Sequence, residues 1–160
     1  MKAHIVYDST YGNTKAVAES IARNLSPLSA AAVPVVDFDP RTLATDNLLV
    51  VGSSINGWRP TARISGLLAQ LGGEGGLKGI KAAAFDTRVR FFIHRVRFFI
   101  HGDAAKKMTR MLKSGGARIV SDPALFYVRG TEGPLRSGEP EKAGAWAQIL
   151  GTAVERKETP

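Results

Sequence analysis

LLVVGS, Leu48–Ser53, is the stretch that most constrains the fold of this chain. It is apolar almost throughout, without the in-out alternation of a strand that has one wet face. Strands of that kind belong to parallel sheets covered by helices on both sides. The neighbouring sequence agrees, because short β-like runs alternate with helical periodicity about five times. His4–Tyr7 (HIVY), Val33–Phe38 (VPVVDF) and Ile80–Phe85 (IKAAAF) read as strands, and Ala117–Val120 with Ala124–Val128 reads as a fifth, broken at Pro123. Between them, Thr14–Leu25 sets Val17, Ile21 and Leu25 on one helical face, followed by helices at Ile64–Leu71, Ala104–Lys113 and Pro140–Val154. The last is expected to turn Trp146, Ile149, Leu150 and Ala153 inward. The pattern predicts one α/β domain over residues 1–160, a parallel sheet with helices on both faces. In such sheets ligands sit outside the carboxyl ends of the strands, so the loops there carry the functional reading.

Composition removes several chemistries. The chain has no cysteine, which excludes disulfides, thiol catalysis and thiolate metal sites and fits a reducing compartment. No apolar run approaches membrane-spanning length, and MKAHIVYDST enters a strand pattern without a signal-peptide core. A cytoplasmic protein is expected. Charge is concentrated: residues 88–118 hold nine Lys or Arg against one acid, Asp103, and so carry the whole formal net charge of +8. A basic face of this kind draws anionic partners or substrates.

The loop after the first strand reads DSTYGNTK, Asp8–Lys15. It offers hydroxyls on Ser9, Thr10 and Thr14, an amide on Asn13 and a permissive Gly12, and then a helix begins. Small polar residues leading into a helix N-terminus suit a phosphate, which meets backbone N–H groups and the positive end of the helix dipole. The spacing is not that of a Walker A loop, and a helix cap alone would need fewer polar residues.

Strand, S-T-Y-G-N-T, helix resembles the phosphate loop of the flavodoxin family, and the likeness runs along nearly the whole chain. The resemblance implies a three-layer sandwich with a five-stranded parallel sheet in the order 2-1-3-4-5, and FMN as cofactor. It implies that Ser9, Thr10, Tyr11, Gly12, Asn13 and Thr14 hold the phosphate. LLVVGSS runs into INGWRPTA, Ile55–Ala62, which is similar to the second FMN loop and implies Ser54, Ile55, Asn56, Gly57 and Trp58 at the cofactor, with Trp58 where an aromatic commonly covers the flavin. FDTR, namely Phe85, Asp86, Thr87 and Arg88, stands at the third, and GTEGPL, Gly130–Leu135, follows the fifth strand as in short flavodoxin-domain proteins. Independently of the family, Gly57 can flip its peptide cheaply and Trp58 can stack on a planar ring. His4 reads as a packed histidine and Asp86 as a residue able to cap a turn.

Charge separates this chain from the family pattern. Electron-carrying flavodoxins are typically acidic, whereas Arg59, Arg63, Arg88 and Arg90 fall in or beside the flavin loops here. One cation at short range contributes on the order of a few kcal/mol before screening, so easier flavin reduction is expected. That leaves two roles, an electron carrier serving a redox partner protein or a flavin-dependent reductase or dehydrogenase acting on a small planar, anionic substrate. Basic protoporphyrinogen dehydrogenases and quinone reductases of flavodoxin type resemble it in this respect.

RVRFFIHRVRFFIH, residues 88–101, is one heptad written twice. An odd repeat exchanges the two faces of a strand, so Val89, Phe91 and Ile93 share a face with Arg95 and Arg97. One half-buried strand cannot satisfy both copies, and the segment reads as an insertion between the fourth strand and its helix. Its phenylalanines are expected to favour a homodimer through 88–101, and its arginines leave peripheral contact with an anionic membrane open. Basic residues interleaved with aromatics also fit a nucleic-acid module without redox role, the reading of another class, although no RNA-recognition or helix-turn-helix signature accompanies them.

Overall fold

The computed structural model describes residues 1–55, 59–89 and 103–156. The elements are β1 (Lys2–Asp8), α1 (Asn13–Asn24), β2 (Ser29–Pro34), β3 (Leu48–Ser54), α2 (Ala62–Gly72), β4 (Lys81–Val89), α3 (Ala104–Ser114), β5 (Arg118–Ile119), β6 (Ala124–Val128) and α4 (Glu139–Glu155). All sheet pairings between these strands are parallel, and the order is β2-β1-β3-β4-β5, with β6 also on β4. The expected fifth strand is therefore two, because the chain leaves the sheet around Pro123 and returns to the same edge of β4 further along, at Phe85–Val89.

The central strand behaves as its sequence demands. β3 is buried from Leu48 through Ser53. Its alternate residues feed two cores. Leu48 and Val50 join Ile5, Phe85, Phe126 and the inner faces of α1 and α4. Leu49 and Val51 join Val6, Ala84 and the inner faces of α2 and α3. Each large apolar side chain taken fully from water contributes roughly 1.5–3 kcal/mol, so both layers are needed to hold the sheet. Gly52 has a specific reason to lack a side chain, since a Cβ there would overlap the ring of Phe85.

Two expectations are corrected. The second strand lies at Ser29–Pro34, not Val33–Phe38, and Val35–Asp37 forms a 3-10 turn. Pairing with β1 places Ala30–Val33 beside Ala3–Val6, and backbone pairing has overridden the weak strand propensity of alanine. In α4, Ile149 is 58% exposed, while Ala143, Trp146, Ala147, Leu150 and Val154 are buried. The helix is rolled toward α1 at Gly144, where an added Cβ would meet the Asn24 side chain. That close approach selects the small-residue stripe and leaves Ile149 outside.

Candidate functional site

The carboxyl ends of β1, β3, β4 and β6, with the loops after β1 and β6, line a cavity of about 510 Å³. Ligand sites commonly fall in this size range. It opens where the strand order reverses between β1 and β3, the expected position for a ligand in a doubly wound sheet. Ser9, Thr10, Tyr11, Asn13 and Thr14 line one side, Ser54, Ile55 and Thr61 another, and Thr87, Arg88, Val89, Val128 and Thr131 the rest.

The first loop is built around a turn that only glycine takes easily. Gly12 sits at φ 89° as the N-cap of α1, and its N–H donates to Ser9 Oγ at 3.1 Å. No side chain caps α1. The first-turn N–H groups have no helical partner, so they and the positive end of a 12-residue helix remain available to an anion. The residues present fit a phosphate on this ground.

Hydrogen bonds tie the loops together. Thr14 Oγ1 and Thr87 Oγ1 lie 2.8 Å apart and are buried. Whichever hydroxyl donates, the other keeps its own hydrogen, so the pair presents one spare O–H donor. Asn13 Nδ2 donates to the Glu132 carbonyl at 3.2 Å, which fixes the loop carrying Thr131 against the start of α1. Thr61 caps α2 by accepting from Ile64 N–H, and its own N–H donates to Ser53 Oγ at 3.0 Å.

The fourth strand splits its side chains by parity. Phe85 points into the core, in edge contact with Phe126 and Trp146, and does not line the cavity. Asp86 is also turned away, with no exposed surface. It accepts from Ala105 N–H at 2.9 Å and binds the Arg88 guanidinium through both oxygens. Arg88 Nη2 also reaches Asp103 Oδ1 at 2.8 Å. Burial pushes the Asp86 carboxyl upward, and Arg88 and the Ala105 amide pull it back. Burial opposes the Arg88 charge, but the two carboxylates hold its pKa above the ordinary arginine value.

Of the residues singled out from sequence, Ser9, Thr10, Tyr11, Asn13, Thr14, Ser54, Ile55, Thr87 and Arg88 meet at the cavity. Gly12 shapes its rim through the backbone, and Asn56, Gly57 and Trp58 lie outside the described residues. Thr61 falls within the second loop read over Ile55–Ala62, though not singled out there, whereas Val89, Val128 and Thr131 were not singled out as lining residues. Thr131 had a usable signal in the polar GTEGPL turn, whereas Val128 had none beyond its place near the end of a strand. The charge argument from sequence also changes. Arg88 lines the cavity but shares its charge with two acids, Arg63 stands 3.8 Å from Asp8, and Arg90 lies outside the described residues. No carboxylate lines the cavity among the described residues.

A doubly wound parallel sheet with an uncapped helix at its switch point is the arrangement in which folds of this class receive an anionic ligand at the strand ends. The family model described as Flavodoxin matches residues 5–146, and the chain belongs to the flavodoxin family, whose cofactor is FMN. Flavodoxins are a standard instance of the switch-point rule. Among solved structures, a flavodoxin from the domain Archaea is 19% identical, with a TM-score of 0.76 over 97% of this chain and 99% of that one. Flavodoxin 1 from Bacillus cereus is 16% identical, with a TM-score of 0.75 over 95% and 98%. The rubredoxin oxygen:oxidoreductase of Desulfovibrio gigas is 17% identical, with a TM-score of 0.74 over 99% of this chain but only 37% of its own. No curated protein sequence matches the chain.

Proposed function

We propose that the chain is a redox flavoprotein in which the α1 loop holds the FMN phosphate and the cavity holds the flavin ring. The observation that carries this is an uncapped helix start opening into a 510 Å³ cavity at the switch point of the sheet. When bound, FMN supplies one- and two-electron chemistry. The chain's own residues bind, orient and exclude water. The first-turn N–H groups of α1, with Thr10 and the spare hydroxyl of the Thr14/Thr87 pair, receive the phosphate oxygens. Ile55, Val89 and Val128 supply apolar surface for the ring, and Tyr11 stands at its rim. Arg88 contributes a positioned guanidinium donor at one wall, its charge offset by Asp86 and Asp103. With no carboxylate among the described lining residues, reduction of the flavin meets less electrostatic resistance than in an acidic cavity.

A second reading, flavin-dependent reduction or dehydrogenation of a planar anionic substrate such as a quinone or porphyrinogen, is favoured by that same Arg88 beside apolar walls. Titration of the apo-protein with FMN and with riboflavin tests the site. Thr10→Ala with Thr14→Ala is expected to weaken FMN at least about tenfold and riboflavin much less, since charge-assisted contacts go to the phosphate alone. Equal losses move the phosphate elsewhere, and FMN left free by micromolar protein overturns the reading. Spectroelectrochemical titration then measures the potential, expected above that of an acidic flavodoxin, and turnover of quinones or porphyrinogens separates enzyme from carrier.

A further inference from the structure

The two helical layers differ in charge. α2 and α3, on one face, carry Arg63, Lys106, Lys107, Arg110 and Lys113 and no acid. α1 and α4, on the other, carry Lys15, Arg23 and Lys142 against Glu19, Glu139, Glu141 and Glu155. The five cations of the first layer are all exposed. Those of α3 form no ion pair among the described residues. They share the outward side of the helix, because Ala104, Ala105, Met108 and Leu112 are buried on the inward side. The basic stripe also begins at the cavity wall, where the N-cap Asp103 is bonded to Arg88.

We propose that the outward face of α3, with Arg63 of α2, is the docking surface for an acidic protein that exchanges electrons with the bound flavin. The proposal rests on the FMN reading above. Charge complementarity selects the partner: the four cations of α3, none in an ion pair among the described residues, with the exposed Arg63 that stands 3.8 Å from Asp8, orient an acidic surface toward the end of the molecule that holds the cavity, and steering of this kind raises association rates. A bilayer is a poorer fit. The apolar side of α3 is already spent in the core, and none of its outward residues is a large exposed apolar group that could enter the acyl region. Nucleic acid is poorer too, since the stripe of α3 has no aromatic on which a base could stack. In each encounter one electron leaves the partner's redox centre and enters the flavin, and two encounters supply the two electrons of full reduction, with protons drawn from solvent.

The test uses the FMN-loaded full chain and, as probe, a reduced plant-type [2Fe–2S] ferredoxin as acidic one-electron donor. Flavin reduction is followed by stopped flow at several salt concentrations. FMN titration of each protein comes first, so that failure of flavin binding is read separately from failure of docking. For the native chain the second-order rate is expected to fall as salt rises. K106E/K107E/R110E/K113E is expected to bind FMN as the native chain does, yet react at least about tenfold more slowly at low salt and faster as salt is added. Arg23→Glu with Arg156→Glu, away from the stripe, is expected to change the rate less than about twofold. Dithionite reduction should be alike in all three. Equal ferredoxin rates in the native and reversed proteins overturn the proposal. So does binding to phosphatidylserine vesicles or to DNA that the reversal abolishes while the ferredoxin rate stays unchanged.

Discussion

Arg88→Ala is expected to destabilise the apo-protein by about 3 kcal/mol, at the low end of what breaking a buried ion pair costs. The magnitude follows from what is left behind. Arg88 donates to both oxygens of Asp86 and to Asp103, and the side chains of Asp86, Arg88 and Asp103 are 0%, 17% and 20% exposed. Without the guanidinium, Asp86 keeps only the Ala105 N–H and becomes a buried carboxylate with no counter-charge. It escapes part of the cost by taking up a proton, which places the loss near 3 rather than 5 kcal/mol. For a chain of this size the loss corresponds to a drop of about 6–12 °C in Tm. The sign with pH is fixed as well. Burial raises the Asp86 pKa above its unfolded value, more so in the variant, and a group raised in this way destabilises the fold as pH climbs through the folded pKa. The deficit against native protein should therefore narrow as pH falls from about 7 toward about 4.5. Arg88→Met combined with Asp86→Asn should recover at least half of the loss, because no buried charge remains. Urea unfolding of the apo-proteins measures all three. A single-variant loss within about 0.5 kcal/mol, or a deficit that does not change with pH, would refute the clamp.

Gly52→Ala is expected to cost about 1–3 kcal/mol, because the Phe85 ring cannot move without disturbing Phe126 and Trp146; calorimetry decides, and a neutral outcome would mean that this core repacks freely. His4 packs edge-on against Phe38 with its Nε2 3.1 Å from Asn47 Nδ2, and burial followed by the Lys2 charge lowers its pKa from 6.5. The folded protein thus binds fewer protons there than the unfolded chain, so this contribution is full above the ordinary histidine value and is lost as pH falls through it; His4→Phe should flatten the slope of urea midpoint against pH between about 7.5 and 5.5. Deleting Arg95–His101, one copy of the heptad, is expected to leave fold and FMN affinity intact and to make the protein more monomeric by light scattering. Unfolding, or loss of flavin binding on deletion, would make the repeat part of the site.

How far the sequence could be read varied with the physics behind each element. β3 was legible because a doubly buried strand must be apolar throughout, and the turn after β1 was legible because a glycine followed by helical periodicity marks a helix start. β2 was misread since Val35 and Val36 have the stronger strand propensity, whereas its place is set by pairing with β1, a tertiary fact. Val36 instead stands 66% exposed. Ile149 was misread because helical spacing admits several stripes, and only the α1 contact at Gly144 chooses among them. The largest revision concerns charge. Arg88 counts as one free cation in a sequence, and its two carboxylate partners come from the same face of β4 two residues earlier and from the N-cap of a helix beginning after the repeat.

The end of β4 shows how one short run serves several purposes through strand parity. Phe85 and Thr87 face the α1 and α4 side, where one fills the core and the other meets Thr14 at the start of α1. Asp86 and Arg88 face the opposite side, where they fasten the N-terminus of α3 through Ala105 and Asp103. Val89, back on the first parity, joins the cavity wall. Five consecutive residues thus connect the aromatic core, the start of α1, the cavity and the basic helix. A seven-residue insertion placed within this run would invert every later side chain and break all four connections. The first residue of the repeat, Arg88, is instead bonded to Asp86 before it and to Asp103 after it, and Asp86 also accepts from Ala105 beyond it. The second copy can be added or removed beyond those bonds without changing the parity of any residue that lines the cavity, and this is the physical ground for expecting flavin binding to survive its deletion.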